Sequence, residues 1–132
     1  MRAWIFQSKP DRYDLRTKLI PGKKATWYVT RYRNDINTQD DVYFWLAGDA
    51  GIRGIYGKGV IIGLPYLRPD WNDYGIDVEY TERYEPHISV NIIESNSILR
   101  NLLIVRAPFG TNFPLDHEQA RAIASLARSR AA

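Results

Sequence analysis

The sequence predicts an α+β domain in which about six short strands curl into a small, strongly bent, partly closed β-barrel, with helices near both ends. Three observations predict it. Short runs dense in aromatic and β-branched residues are separated by Gly- and Pro-rich turns, the pattern of many short strands. Helix start and stop signals stand near each end of the chain. The chain has 132 residues, 45% of them apolar and 25% charged, enough for one core and too few for two, so a single domain over 1–132 is expected.

Ala3 to Gln7 reads as a strand stopped at Lys9-Pro10. Asp11 to Ile20 reads as a short helix, with Leu15 and Leu19 four apart and Pro21-Gly22 closing it. Ala25 to Tyr32 is a second strand. Asp41 to Ala47 is a third, and it is almost continuously apolar; such a strand is buried on both faces, or its outer face is a binding surface. The glycines from Gly48 to Gly59 imply a turn into a bent strand through Val60–Gly63 that lets backbone or a ligand come close. Pro65 to Gly75 reads as a loop, and Ile76 to Thr81 alternates as a half-exposed strand. Ile88 to Leu102 suggests short helical turns, and Leu103-Ile104-Val105 a last strand. Asp116 with Gln119 forms a capping-box pattern ahead of a final helix through Ala127.

The absence of cysteine excludes disulfides, thiolate metal sites and cysteine nucleophiles. No apolar stretch approaches the roughly 20 residues of a membrane span, and no signal-peptide pattern opens the chain, so a cytoplasmic protein is expected. His87 and His117 lack ligand spacing, so no metal is expected. No serine stands in a nucleophile elbow, and Gly54-x-x-Gly57-Lys58-Gly59 lacks phosphate-loop spacing. No catalytic constellation emerges, so no catalysis and no cofactor are expected.

Charge is uneven within a net +3: residues 1–34 hold nine Lys/Arg against two acids, whereas residues 35–85 hold four against ten. A basic first quarter suits phosphates. Trp27, Tyr28, Tyr32, Tyr43, Phe44 and Trp45 crowd two strands, and alternation places aromatics on both faces of each. Flanked by Arg31 and Arg33, they suit a stacking pocket with a phosphate-binding rim.

The residues resemble a known family, the EVE domain of the PUA-like superfamily, related to the YTH readers of methylated adenine. The resemblance runs through Trp4-Ile-Phe-Gln-Ser-Lys-Pro10, Tyr13-Asp-Leu15, Trp27-x-Val-Thr-Arg-Tyr32, Asp41-Val-Tyr-Phe-Trp-Leu-Ala-Gly48, Ala50-Gly-Ile52 with Ile55-Tyr-Gly57, and Arg106-Ala-Pro-x-Gly-Thr-Asn-Phe-Pro-Leu115. Lys9 stands where the family usually carries Asn before the proline. The resemblance implies a PUA-like barrel with a pocket for a flipped or unpaired modified base, a modified cytosine above all. It implies nucleic acid as partner, DNA or RNA, with a separate nuclease or modification enzyme as a candidate second partner. Trp27, Tyr32 and Trp45 are the expected ring walls, with Phe113 a fourth. Ser8, Thr30, Thr111 and Asn112 are the expected readers of the base edge, Asn112 first. Arg31 and Arg33 are assigned to phosphates, followed by Lys9, Arg12, Lys23 and Lys24. Two other readings stay open: a PUA-like amidohydrolase acting on a modified nucleoside, for which Lys58 and Thr30 are available, and a protein-interaction or small-ligand module.

Overall fold

The computed structural model describes residues 2–131, so the two terminal residues of the expected domain lie outside it. Seven strands form one curled, half-barrel sheet: β1 (Ala3–Ser8), β2 (Lys24–Tyr28), β3 (Asp41–Leu46), β4 (Gly54–Ile61), β5 (Tyr66–Arg68), β6 (Asp73–Ser89) and β7 (Asn112–Leu115). Their order is β2-β6-β4-β3-β1-β7, with β5 paired to β6. β1 and β3 run parallel, and every other pair is antiparallel. The helices are α1 (Leu15–Lys18), α2 (Val90–Ser95), α3 (Leu103–Arg106) and α4 (His117–Ala127), with a 3-10 turn at Leu99–Asn101.

The curl comes mainly from β6, which spans 17 residues. Its Gly75–Glu79 half pairs with β2, and its Val78–Ser89 stretch pairs with β4. The β4–β6 register shifts twice, near Gly57 and near Gly59, and bulges of this kind bend a sheet. Both positions need glycine. A Cβ on Gly57 would lie 2.3 Å from the Glu82 carbonyl oxygen, and one on Gly59 would lie 2.4 Å from that of Glu79.

Curling leaves two cores on opposite faces of the sheet. Trp4, Phe6, Trp27, Val42, Phe44 and Tyr80 belong to one. Ile5, Tyr43, Trp45, Ile55, Phe113 and Ile123 belong to the other, beneath α4. Alternation along β3 sends Phe44 to the first and Tyr43 and Trp45 to the second, which is why that strand is apolar throughout. Asp40 closes the rim of the first core. Buried at 3% exposure, it accepts from the Arg2 amide at 3.1 Å, the Trp4 indole Nε1 at 3.0 Å and the Asn37 amide at 2.9 Å.

Several boundaries differ from the sequence reading. The second strand ends at Tyr28, four residues early, because Tyr32 takes a left-handed φ of 61° and turns the chain away. Leu103–Val105 is helical and not a strand: the Arg106 and Ala107 amides donate to the Leu102 and Leu103 carbonyls at 3.1 and 2.7 Å, a turn that three consecutive apolar letters hide. β5 arises inside the expected loop, and β7 was not foreseen. β7 carries Pro114, which an edge strand tolerates. The capping box forms as expected, with Asp116 accepting from the Gln119 amide and the Gln119 side chain accepting from the Asp116 amide. Among the described residues, no helix is long and apolar enough to cross a membrane.

Candidate nucleic-acid interface

The segment that follows β2 is built to present side chains. Val29 is buried, and its amide donates to the Tyr74 carbonyl at 3.1 Å. Thr30 to Asp35 then lie exposed before buried Ile36 ties the chain down again. The left-handed turn at Tyr32 lets its carbonyl accept from the Asp35 and Ile36 amides at 2.9 and 3.2 Å. Its ring sits 5.7 Å from that of Trp4, yet the residue stays 37% exposed. The Arg33 guanidinium lies 4.2 Å from the centre of the Tyr74 ring, an arrangement that holds the cation while leaving its edge in solvent. Thr30, Tyr32, Arg33, Asn34 and Asp35 line an open groove of about 360 Å³.

A second segment, from the far end of the sequence, fixes this loop. The Asn112 carboxamide oxygen accepts from the Arg31 amide at 3.2 Å, and its nitrogen donates to the Arg31 carbonyl. Thr111 Oγ1 lies 3.0 Å from Thr30 Oγ1 and donates to the Asn112 carboxamide oxygen at 3.0 Å. Gln7 holds the same segment from β1, its side chain donating to the Gly110 carbonyl at 2.8 Å and its amide to the Thr111 carbonyl at 2.8 Å. The next residue, Ser8, has its Oγ buried with no hydrogen-bond partner among the described residues, and a buried hydroxyl in that condition invites an acceptor or donor from outside.

The expected ring walls are divided. Trp27 is 6% exposed and faces the first core, its indole Nε1 donating to Tyr80 Oη at 3.0 Å and its rings packed by Phe6, Tyr13 and Phe44. Trp45 is 1% exposed and Phe113 6%, and both face the second core across the sheet. Trp45 and Phe113 therefore cannot wall the same pocket as Trp27 and Tyr32. Trp45 instead lines a cavity of about 80 Å³ with Arg53, Glu94 and Pro108. The reason is parity: β3 has both faces buried, so each of its rings has a core to fill. Asn112 also changes role. At 1% exposure, its carboxamide is spent on the Arg31 backbone and is not a free edge reader.

The cations are exposed but scattered. Arg33 lines the groove, and the Arg31 guanidinium lies against Gly110. Lys9 and Arg12 belong to the turn after β1, where the Arg12 amide donates to the Lys9 carbonyl at 3.0 Å. Lys23 and Lys24 lie at the opposite end of β2, about 13 Å along the strand from Tyr28. The amidohydrolase set is not assembled. Lys58 faces Tyr43, Glu82 and Tyr84 in a cleft of about 280 Å³, its Nζ 3.8 Å from an Asp41 oxygen, while Thr30 is bonded to Thr111. Burial, with Asp41 and Glu82 near, pushes the Tyr43 hydroxyl up to about 12. His87 stacks on Tyr56 at 4.3 Å, and burial lowers its pKa. Sequence reasoning missed Gln7 as a clip, because its partners at Pro108 and Gly110 are 101 and 103 residues away and no local pattern marks them.

Residues 2–126 match the model of the EVE domain. Among solved structures, a Pseudomonas syringae protein is 22% identical, with 94% of this chain and 98% of that one covered at a TM-score of 0.76. A Leishmania major protein is 15% identical, with 98% and 96% covered at a TM-score of 0.78. Human THYN1, solved in complex with 5-methylcytosine containing DNA, is 16% identical, with 96% and 97% covered at a TM-score of 0.75. Among curated proteins, no match is found.

Proposed function

This chain belongs to the EVE domain family, and from that premise we propose that it is a non-catalytic module that binds nucleic acid carrying a modified base, most readily a modified cytosine in DNA. One observation of the site carries the reading: a clipped loop presents the Tyr32 ring, 37% exposed, between the exposed Arg31 and Arg33. The human relative solved with 5-methylcytosine containing DNA supports the choice of partner.

In this reading Tyr32 stacks on the base, with the buried Trp4 ring behind it at 5.7 Å. Ser8, Thr30 and Thr111 supply hydroxyls for the base edge. Arg31 and Arg33 meet the flanking phosphates, with Lys9 and Arg12 further along the strand. Magnitudes rank these roles. Stacking contributes roughly 1–3 kcal/mol per base, and extracting a base from a duplex costs a few kcal/mol. The two nearly offset each other, so phosphate contacts supply the net affinity. A single buried methyl adds about 0.8 kcal/mol, near fourfold. Discrimination against the plain base beyond that factor must come from the hydroxyl contacts.

The test is a fluorescence titration against strands with and without 5-methylcytosine, repeated between 50 and 200 mM salt. Tyr32→Ala is expected to weaken binding about tenfold at every salt concentration. Arg31→Ala and Arg33→Ala are each expected to lower the log–log salt slope by about one. Equal affinity for modified and plain strands, with no loss in Tyr32→Ala, would remove the proposal.

A further inference from the structure

Phe109 stands 76% exposed, the most exposed large apolar side chain among the described residues. Exposure alone says little, since isolated surface apolar residues are common. Its mounting is more informative. The ring is carried on Pro108-Phe109-Gly110, and Gln7 Nε2 donates to both flanking carbonyls, Gly110 at 2.8 Å and Pro108 at 3.3 Å. The Phe109 amide donates to the Ala107 carbonyl at 2.8 Å, and Gly110 takes a φ of 116° that a side chain would resist. The tip is thus braced from both sides, and an apolar ring held in water on a braced tip has little backbone freedom left to lose on contact.

Its position also matters. The Gly110 α-carbon faces the Arg31 side chain, so that a Cβ there would lie 3.9 Å from Arg31 Cζ. The following residue, Thr111, is bonded to Thr30. Exposed Arg106 precedes the tip by three residues. Phe109 therefore projects next to the Thr30–Arg33 loop, with cations at Arg31 and Arg106. Glu94 shares the cavity beside Pro108 with Arg53, and Asp35 lines the groove beside Arg33.

From this arrangement we infer that Phe109 is a wedge for duplex nucleic acid. It inserts between the base pairs that flank the extracted base and fills the gap left behind. The inference rests on the reading of the neighbouring loop as a modified-base site. Its own content is separate: the substrate engaged is a duplex, and the protein opens it. Removing a base from the stack leaves two neighbours without a stacking partner, and an apolar side chain inserted at that step restores contact and holds the strand open. A single strand has no gap to fill, so the wedge contributes nothing there.

That asymmetry supplies the test. Wild type, Phe109→Ala and Phe109→Trp are titrated with a 20-base-pair duplex carrying one 5-methylcytosine and with the same modified strand alone. A 2-aminopurine next to the modified base reports unstacking. Phe109→Ala is expected to lose about tenfold in duplex affinity, equivalent to ~1.4 kcal/mol, to lose the 2-aminopurine signal, and to keep single-strand affinity within about twofold. Phe109→Trp is expected to keep both. A side chain this exposed can be truncated without unfolding the domain, and an unchanged melting temperature confirms that the variants are folded. Equal losses on duplex and single strand, or no loss on either, would overturn the wedge. So would wild-type binding to the single strand alone, which leaves the modified-base reading standing. Wild type that binds neither modified probe removes that reading and the wedge with it.

Discussion

Asn112→Ala is expected to abolish most nucleic-acid binding while leaving a folded protein. The substitution strips both hydrogen bonds that hold the Arg31 peptide and the acceptor for Thr111 Oγ1. Lost buried hydrogen bonds cost about 1–3 kcal/mol when a group is left unpaired, and the half-open setting of Arg31 lets water repair part of that. A stability loss of about 2 kcal/mol is the expected result. The larger effect falls on binding. Freed from the clip, Thr30 to Arg33 must be ordered when nucleic acid arrives, at roughly 1 kcal/mol or more per residue. Ordering these four residues totals about 4 kcal/mol, so affinity is expected to fall by up to about 1000-fold, and the Arg31 amide to exchange its hydrogen far faster. Asn112→Asp keeps the acceptor for the Arg31 amide but sets a buried carboxylate oxygen against the Arg31 carbonyl, so it should cost at least as much as alanine. Wild-type affinity in Asn112→Ala would show that the loop holds its shape unaided.

The largest stability effect is expected at Asp40. Its carboxylate satisfies three donors at once, two backbone amides and the Trp4 indole. Alanine leaves donors at the rim of the first core without an acceptor, at about 1–3 kcal/mol for each that stays dry. A total loss of about 3–5 kcal/mol is expected in urea unfolding, with the melting temperature down by roughly 10–20 °C. Asp40→Asn keeps the shape and part of the acceptor capacity, so its loss should be about half as large. A loss below 1 kcal/mol for alanine would mean that the three donors are not held as described.

The sequence made some features plain and hid others, for physical reasons that can be named. The capping box at Asp116 and Gln119, the buried pair Leu15 and Leu19, and the bent glycine strand were legible because each is a short-range device. The continuous apolar run of β3 already implied two buried faces, or one buried face and one binding face. The structure selects two cores, and that choice took Trp45 and Phe113 out of the expected pocket. Nothing near Trp45 in the chain records what packs above it, since the residues that do so come from α2 and α3. Asn112 was legible as important but not in its role, because its partner at Arg31 is 81 residues distant. Tyr32 was drawn as a strand residue. Its left-handed backbone, rare for an aromatic residue, is the kind of strain that local propensity does not forecast.

The clip between Arg31 and Asn112 also sets a time order during synthesis. The ribosome adds about 5–20 residues per second, so Asn112 follows Arg31 by roughly 4–16 s. Throughout that interval a nascent chain owns Tyr32 and its flanking arginines but lacks the clip that holds the Arg31 peptide. Asn112 is itself the first residue of β7, so the strand that pairs with β1 and the clip are completed together. Under the proposed function, a polypeptide abandoned before that point is expected to bind nucleic acid no better than Asn112→Ala, because the Arg31 peptide has no clip.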